Sequence, residues 1–400
     1  MGAGAAGTAA AIEAAGAGVQ VTLVDENPLS TAMMALDVPQ FFGQRFTGGV
    51  RDAPLMLERV VAANDAMGEA VDAGVDVLLG TCVWCAFRNS ETSRVIDGPQ
   101  LGLADGERSW LVKYERLIVA AGARDMGIAF AGWNLAGAMG ASGAHSLMSR
   151  YGVLSSRRLV VVGSGNLGLN TARMALDSGI EVPAVVEVSS SVRGDEAVAT
   201  ELRDRGVELY TSHTVRRAVG RDGEIESVVL VEIDDNCDPV AGTEKSIPTD
   251  TVCLAIGLVP NVELLSLLGC ELSFESDLGG YVPVHDDRMM TNVGEVFVAG
   301  DVAGSHEGMT LNSEIARNQG RLAGIAASGS LGAIDKEETL ARMADLRAAG
   351  VRWAPIEARS NWKSWLQSLV RAGGPDIFVC RCEEVTCADL TGTRPPRYLG

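Results

Sequence analysis

Several features are scarce in this sequence, and each scarcity excludes a class of protein. The 400 residues carry 33 basic side chains against 52 acidic ones, a formal charge of −19. Nucleic-acid phosphates and anionic lipid surfaces demand a basic face, so neither is an expected partner. No run approaches the ~18 consecutive apolar residues of a membrane-spanning helix. The opening Met1–Ala17 stretch is small and apolar but has no basic flank or leucine-rich centre, so it does not read as a signal peptide. Eight cysteines are too few for a disulfide scaffold of this length, which points to a reducing cytoplasm. There are only four histidines, His145, His213, His285 and His306, and no HExxH-type metal spacing. No serine lies in a nucleophile elbow.

Glycine, by contrast, is abundant at 47 residues, and it is not spread in a low-complexity run. It concentrates in two segments that repeat one plan: a glycine-rich turn, an Ala/Leu-rich helix, and a short hydrophobic strand ending in an acid. The first is Gly2–Asp25 and the second is Leu159–Glu187. Each reads as a βαβ unit of a parallel sheet with a dinucleotide on the turn.

In the first segment the fingerprint glycines are Gly2, Gly4 and Gly7. The first permits a tight turn, the second lets the backbone approach a pyrophosphate, and the third lets the helix pack on the sheet. Asp25 lies 23 residues after Gly2, where a carboxylate accepts hydrogen bonds from a ribose diol. The strand that should lead into this turn is missing, so native residues are expected ahead of Met1. In the second segment Leu159–Val162 supplies that strand, followed by Gly163, Gly165 and Gly168, with Glu187 as the acid. A carboxylate there would repel a 2′-phosphate, which favours NAD over NADP. A fold that has lost its ligand, or that binds another adenine nucleotide, stays open.

These residues resemble two-dinucleotide-fold flavoproteins, the group of the pyridine nucleotide–disulfide reductases. Leu117–Gly122 looks like the strand and turn by which the chain leaves the flavin domain, and Val252–Asn261 looks like the return crossing. Thr291–Asp301 looks like the second flavin motif, with Gly300 and Asp301 near the ribityl–pyrophosphate region. The implied fold is α/β: two Rossmann-like domains of three-layer ββα type, the NAD-type domain inserted in the FAD-type domain. Implied boundaries are 1–127 and 263–332 for the FAD domain and 128–262 for the NAD-type domain. A helical linker follows at 333–377, then a truncated BFD-like [2Fe-2S] segment at 378–400.

The tail narrows the resemblance. Cys380 and Cys382 look like the CxC opening of a small [2Fe-2S] domain, but no second CxxC follows before Gly400, so the cluster is expected only in a full-length chain. With Gly132–Met139, this is similar to α-type subunits of opine oxidase, proline and hydroxyproline dehydrogenases, hydrogen cyanide synthase and heterotetrameric sarcosine oxidase. That resemblance implies FAD, electron relay, an amino-acid-oxidase-like flavoprotein partner that oxidises the C–N bond, and a small ferredoxin-like subunit. No catalytic residue is assigned, because the amine site is expected in the partner. Two alternatives remain: a self-sufficient NADH-dependent reductase or diaphorase, and a structural subunit that has lost its cofactors.

The sequence also departs from the pattern. The usual glycine pair after the ribose acid is replaced by Asn27–Gln44. The Cys82–Cys85 pair has dithiol spacing but lies in a strand-like run, so strand cysteines are expected. The Trp362, Trp365, Leu366 and Leu369 face of the last long helix reads equally as core or as a docking surface.

Overall fold

The computed structural model describes residues 1–26, 66–89, 95–105, 107–149, 151–305, 312–348 and 362–392. In chain order the first elements are α1 (Ala5–Gly16), β1 (Thr22–Asp25), α2 (Ala66–Asp72), β2 (Asp76–Leu79), β3 (Cys82–Phe87), β4 (Gln100–Ala104), β5 (Ser109–Lys113), β6 (Leu117–Val119) and β7 (Ala123–Asp125). Next come β8 (Ala138–Gly140), α3 (Ala141–Ser149), β9 (Leu159–Val162), α4 (Asn166–Asp177), β10 (Ala184–Val186), α5 (Glu196–Asp204), β11 (Glu208–Tyr210), β12 (His213–Arg221), β13 (Glu224–Glu232), β14 (Lys245–Pro248) and β15 (Thr251–Leu254). The rest are β16 (Leu258–Pro260), α6 (Glu263–Leu267), β17 (Leu272–Glu275), β18 (Gly280–Pro283), β19 (Val296–Val298), α7 (Ser313–Ser330), α8 (Lys336–Ala348), α9 (Trp362–Gly373), β20 (Phe378–Cys380), β21 (Val385–Thr386) and α10 (Cys387–Gly392).

These elements fall into two units. One joins Met1–Arg124 to Leu258–Ala358, and the other joins Asp125–Gly257 to Arg359–Gly400. The chain therefore leaves the first unit within β7 and returns to it at β16, two strands that pair with each other.

In the second unit β9 is Leu-Val-Val-Val, buried along its whole length. β-Branched side chains suit the pleated surface, and a run apolar on both faces suits a parallel sheet covered on both sides. The sheet order is β11-β10-β9-β15-β8, with β9 in the middle. The pairs Val185↔Val161 and Leu254↔Val162 set the register. An antiparallel β12-β13-β14 ribbon adds Val215, Val228 and Leu230 to the same core. The tail helix α9 joins that core too. Trp365 and Leu369 are buried, and the Trp365 indole N–H donates to Thr214 Oγ1 at 2.8 Å. Leu366 stays exposed, so the tryptophan face is core on its Trp365–Leu369 side.

The first unit pairs β1 with β2 and β6 with β19, both in parallel, and adds an antiparallel β3-β4-β5 sheet. The sequence does not mark β4 as a strand. Its Leu101, Gly102 and Leu103 are buried between two flanking strands, and Asp105 N bonded to Arg108 O turns the chain from β4 into β5. Its core gathers Leu117, Val119, Phe297 and Val298 with Leu322 and Ile325 of α7.

Candidate dinucleotide sites

At two helix starts a side chain caps the helix: Asp195 accepts from Ala197 N at the start of α5, and Asn312 from Glu314 N at the start of α7. Such caps are worth about 1 kcal/mol each. At α1 and α4 the cap residue is glycine, Gly4 and Gly165, with extended backbone and no side-chain cap. First-turn amides left for an outside acceptor, at the positive end of a helix dipole, form an anion site.

The flanking glycines are required by space. Gly2 (φ +91°) and Gly163 (φ +108°) lie in the left-handed region, and a Cβ on either would meet a carbonyl oxygen, Ala120 O at 2.2 Å or Ala255 O at 2.3 Å. A Cβ on Gly7 would lie 1.7 Å from Gly2 O, and one on Gly168 would lie 2.0 Å from Gly163 O. The turns match in their ladders as well. Gly2 N donates to Val24 O, and Gly163 N to Val186 O, both at 2.7 Å.

In each turn the acid after the following strand accepts from the residue between the first two glycines. Ala3 N donates to Asp25 Oδ2 at 2.6 Å, and Ser164 N to Glu187 Oε2 at 2.8 Å. Their surroundings then differ. Asp25 is half-buried. Glu187 is 2% exposed and also accepts from Ser164 Oγ and from Ser189 N. Its carboxylate faces inward and ties the turn together.

Among the described residues, a Cβ on Gly4 would meet nothing within 4 Å. At α4 the chain folds back over the turn. Gly194 N donates to Ser164 O, Arg193 N to Ser164 Oγ, and Asp195 N to Asn166 Oδ1. A Cβ on Gly194 would lie 2.9 Å from Asn166 N.

The Gly300–Ala303 turn, with Asp301, lies against the first unit's helix start. A Cβ on Gly300 would come within 2.9 Å of Ala6 Cβ. Burial pushes the Asp301 carboxyl above its ordinary value. Gly300 N donates to Gln319 Oε1 at 2.8 Å. Gln319 is fully buried, and its Nε2 finds no acceptor among the described residues. A buried amide donor in that condition costs about 1–3 kcal/mol, which a bound polar ligand would relieve. Sequence reasoning missed Gln319; its one signal was an amide in an otherwise Gly/Ala-rich helical stripe. Gly122 (φ +67°) has nothing among the described residues within 4 Å of where a Cβ would stand, and Asn261, just after β16, clasps this turn, its N bonded to Gly122 O and its Nδ2 to Ala121 O. The uncapped glycine start at α1, Asp25, and the Gln319 donor beside Gly300, without an acceptor among the described residues, together fit an FAD diphosphate and ribose.

All eight cysteines are free thiols. A bulge between Val83 and Cys85 breaks the alternation of β3, leaving Cys82 exposed and Cys85 half-buried. Desolvation pushes the Cys253 thiol up, which makes it inert. Cys380 is half-buried in β20 and Cys382 is exposed just after it. Among the described residues no group of three or more His, Cys, Asp or Glu is arranged to hold a metal, so they do not supply the four ligands of a [2Fe-2S] centre. Burial lowers the pKa of His145 in α3. His306 and the Asn27–Gln44 replacement lie outside the described residues. No helix among the described residues is long and apolar enough to cross a membrane.

Comparison with known proteins agrees with this geometry. The model of the pyridine nucleotide-disulphide oxidoreductase family matches residues 1–326. An opine oxidase subunit from Rhizobium meliloti is 25% identical over 99% of this chain and 75% of its own length. The HcnB subunit of hydrogen cyanide synthase from Pseudomonas aeruginosa is 27% identical over 98% of this chain and 83% of its own. Among solved structures, L-proline dehydrogenase from P. horikoshii superposes with a TM-score of 0.59 at 19% identity, over 97% of this chain and 64% of that one. With two glycine turns of one design in one chain, and a family match over most of its length, this protein is a member of the pyridine nucleotide-disulphide oxidoreductase family, the FAD-dependent oxidoreductases.

Proposed function

We propose that this chain is the FAD-carrying, electron-handling subunit of a multi-subunit dehydrogenase or oxidase acting on the C–N bond of a secondary amine, opine or imino acid. One observation carries the reading: the first helix starts at an uncapped glycine turn that packs against Gly300, beside a buried Gln319 amide donor that finds no acceptor among the described residues. The relatives with names of this kind, from opine oxidase and from hydrogen cyanide synthase, are themselves subunits.

When bound, FAD supplies the two-electron chemistry. The chain's own residues position it. The first-turn amides of α1 hold the diphosphate, Asp25 orients the adenosine ribose, and Asp301 with Gln319 faces the ribityl side. The Gly122–Asn261 clasp holds the crossing strands beside it. On this reading electrons come from an amino-acid-oxidase-like partner, which contains the amine site.

The test is reconstitution with FAD, followed by separate additions of NADH and of the reduced partner. Flavin absorption near 450 nm, bleached by the reduced partner and not by NADH alone, is the expected result. Failure to retain flavin would end the reading. Rapid bleaching by NADH alone would favour the second reading, a self-sufficient NADH-dependent reductase, which the complete Gly163–Gly165–Gly168 turn supports.

A further inference from the structure

Between Asn261 and Asp287 the sequence holds six acidic residues, Glu263, Glu271, Glu275, Asp277, Asp286 and Asp287, and no lysine or arginine. All six are exposed. Glu263 is matched by Arg124 and Asp287 by Arg347. Glu275 and Asp277 stand at the turn of the β17-β18 hairpin, and Glu271 and Asp286 near its base.

The hairpin presents an apolar pair inside this acidic setting. Phe274 and Tyr281 are Cα partners across the two strands. Their rings meet edge to face with centroids 5.3 Å apart. Cross-strand aromatic pairs ordinarily stabilise a sheet through the surface they bury. Here Phe274 is 64% and Tyr281 57% exposed, whereas the next residue, Val282, points to the other face and is buried. A single exposed apolar residue is normal on a protein surface. Two paired rings among carboxylates instead match the plan of a protein interface, aromatic at its centre and charged at its rim.

The hairpin is also fixed to the stretch that carries Asp301. Ser305 N donates to Leu278 O at 3.0 Å. A Cβ on Gly304 would lie 3.1 Å from Leu278 Cδ1, so the Leu278 side chain rests on the chain just after the Gly300–Ala303 turn. A Cβ on Gly279 (φ +92°) would strike Leu258 O of β16 at 2.1 Å, so the hairpin turn also lies tight against β16. A protein seated on the two rings would contact an element that is itself bonded to the Asp301 stretch.

We propose that Phe274 and Tyr281 form the docking surface for the electron-donating subunit, which meets them with an apolar pocket rimmed by lysine and arginine. The proposal rests on the reading of this chain as an electron-handling subunit. Charge selects the occupant. A second copy of this chain, with its formal charge of −19, would set carboxylates against carboxylates, whereas a basic rim complements them. The same acids steer the partner over about 8 Å at physiological salt.

For the experiment, the tagged chain is purified together with the subunit that accompanies it. That subunit is identified by mass spectrometry, and the separated proteins are recombined. Affinity and association rate are measured for the unaltered chain, Phe274→Ser/Tyr281→Ser, Glu275→Lys/Asp277→Lys, and Leu111→Ser, a change at an exposed apolar residue of β5. The aromatic double variant is expected to weaken binding at least about fiftyfold, and Leu111→Ser to leave it unchanged. The lysine variant should slow association about tenfold and flatten its salt dependence. Hydroxyl-radical labelling of the unaltered chain gives a reading free of any folding defect: both rings should be reactive alone and protected in the complex. Full-strength binding by the aromatic variant, or unprotected rings in the complex, would overturn the proposal. So would recovery of no partner, or of a second copy of this chain seated on the rings. A chain that docks through these rings but retains no flavin would end the electron-handling reading alone.

Discussion

The two glycine turns of this chain are near-copies in backbone and differ in how their acids are held. Both place a left-handed glycine against a carbonyl, a helix start with no side-chain cap, and an acid bonded to the turn amide. At the first, Asp25 is half-buried; at the second, Gly194 lies on the turn and Glu187 is enclosed. The fingerprint therefore specifies a backbone shape, and the setting of the acid depends on what the rest of the chain lays around that shape. Three measurements test this contrast.

The largest effect is expected from the third glycines. Gly7→Ala and Gly168→Ala each force a methyl group onto a carbonyl oxygen. Each should destabilise its own unit by about 3 kcal/mol or more. Only Gly7→Ala should abolish flavin retention. Denaturant melts paired with absorbance at 450 nm check both, and flavin loss in Gly168→Ala would break the contrast.

The acids should then separate. Glu187→Gln weakens three hydrogen bonds to a buried carboxylate and should cost about 2 kcal/mol of stability with flavin content unchanged. Asp25→Asn should instead weaken FAD binding by about tenfold, equivalent to about 1.4 kcal/mol, with little effect on the melt. Titration of the apo-protein with FAD distinguishes them, and the reverse outcome would exchange the roles assigned to the two turns.

The smallest effect is expected at Gln319. Gln319→Leu removes an orphaned donor and should leave the flavin-free protein within about 1 kcal/mol of its original stability. It should nonetheless weaken FAD binding several-fold. Unchanged FAD affinity would show that the orphaned amide does not face the ligand.

Much of this was legible in the sequence. The repeated plan of turn, helix, strand and acid located both dinucleotide folds, because glycine spacing and apolar periodicity act over a few residues. The hairpin turning at Arg221-Asp222-Gly223 and the helix after Asn312 carry signals of the same short range, an Asp-Gly turn and an Asn cap. β4 was not, because its five residues become a strand only through partners on both sides. Gln319 was not, because nothing local marks a helical amide that bonds to a turn 19 residues away.

By itself the sequence determined the two bends, since glycine alone fits where a Cβ would strike a carbonyl, and it determined the acids that follow them. The tertiary structure decided which acid turns inward and which buried amide faces the first bend. Those outcomes rest on contacts such as Ser164 with Gly194 and Gly300 with Gln319. They join residues far apart in the chain, and no short-range pattern encodes them.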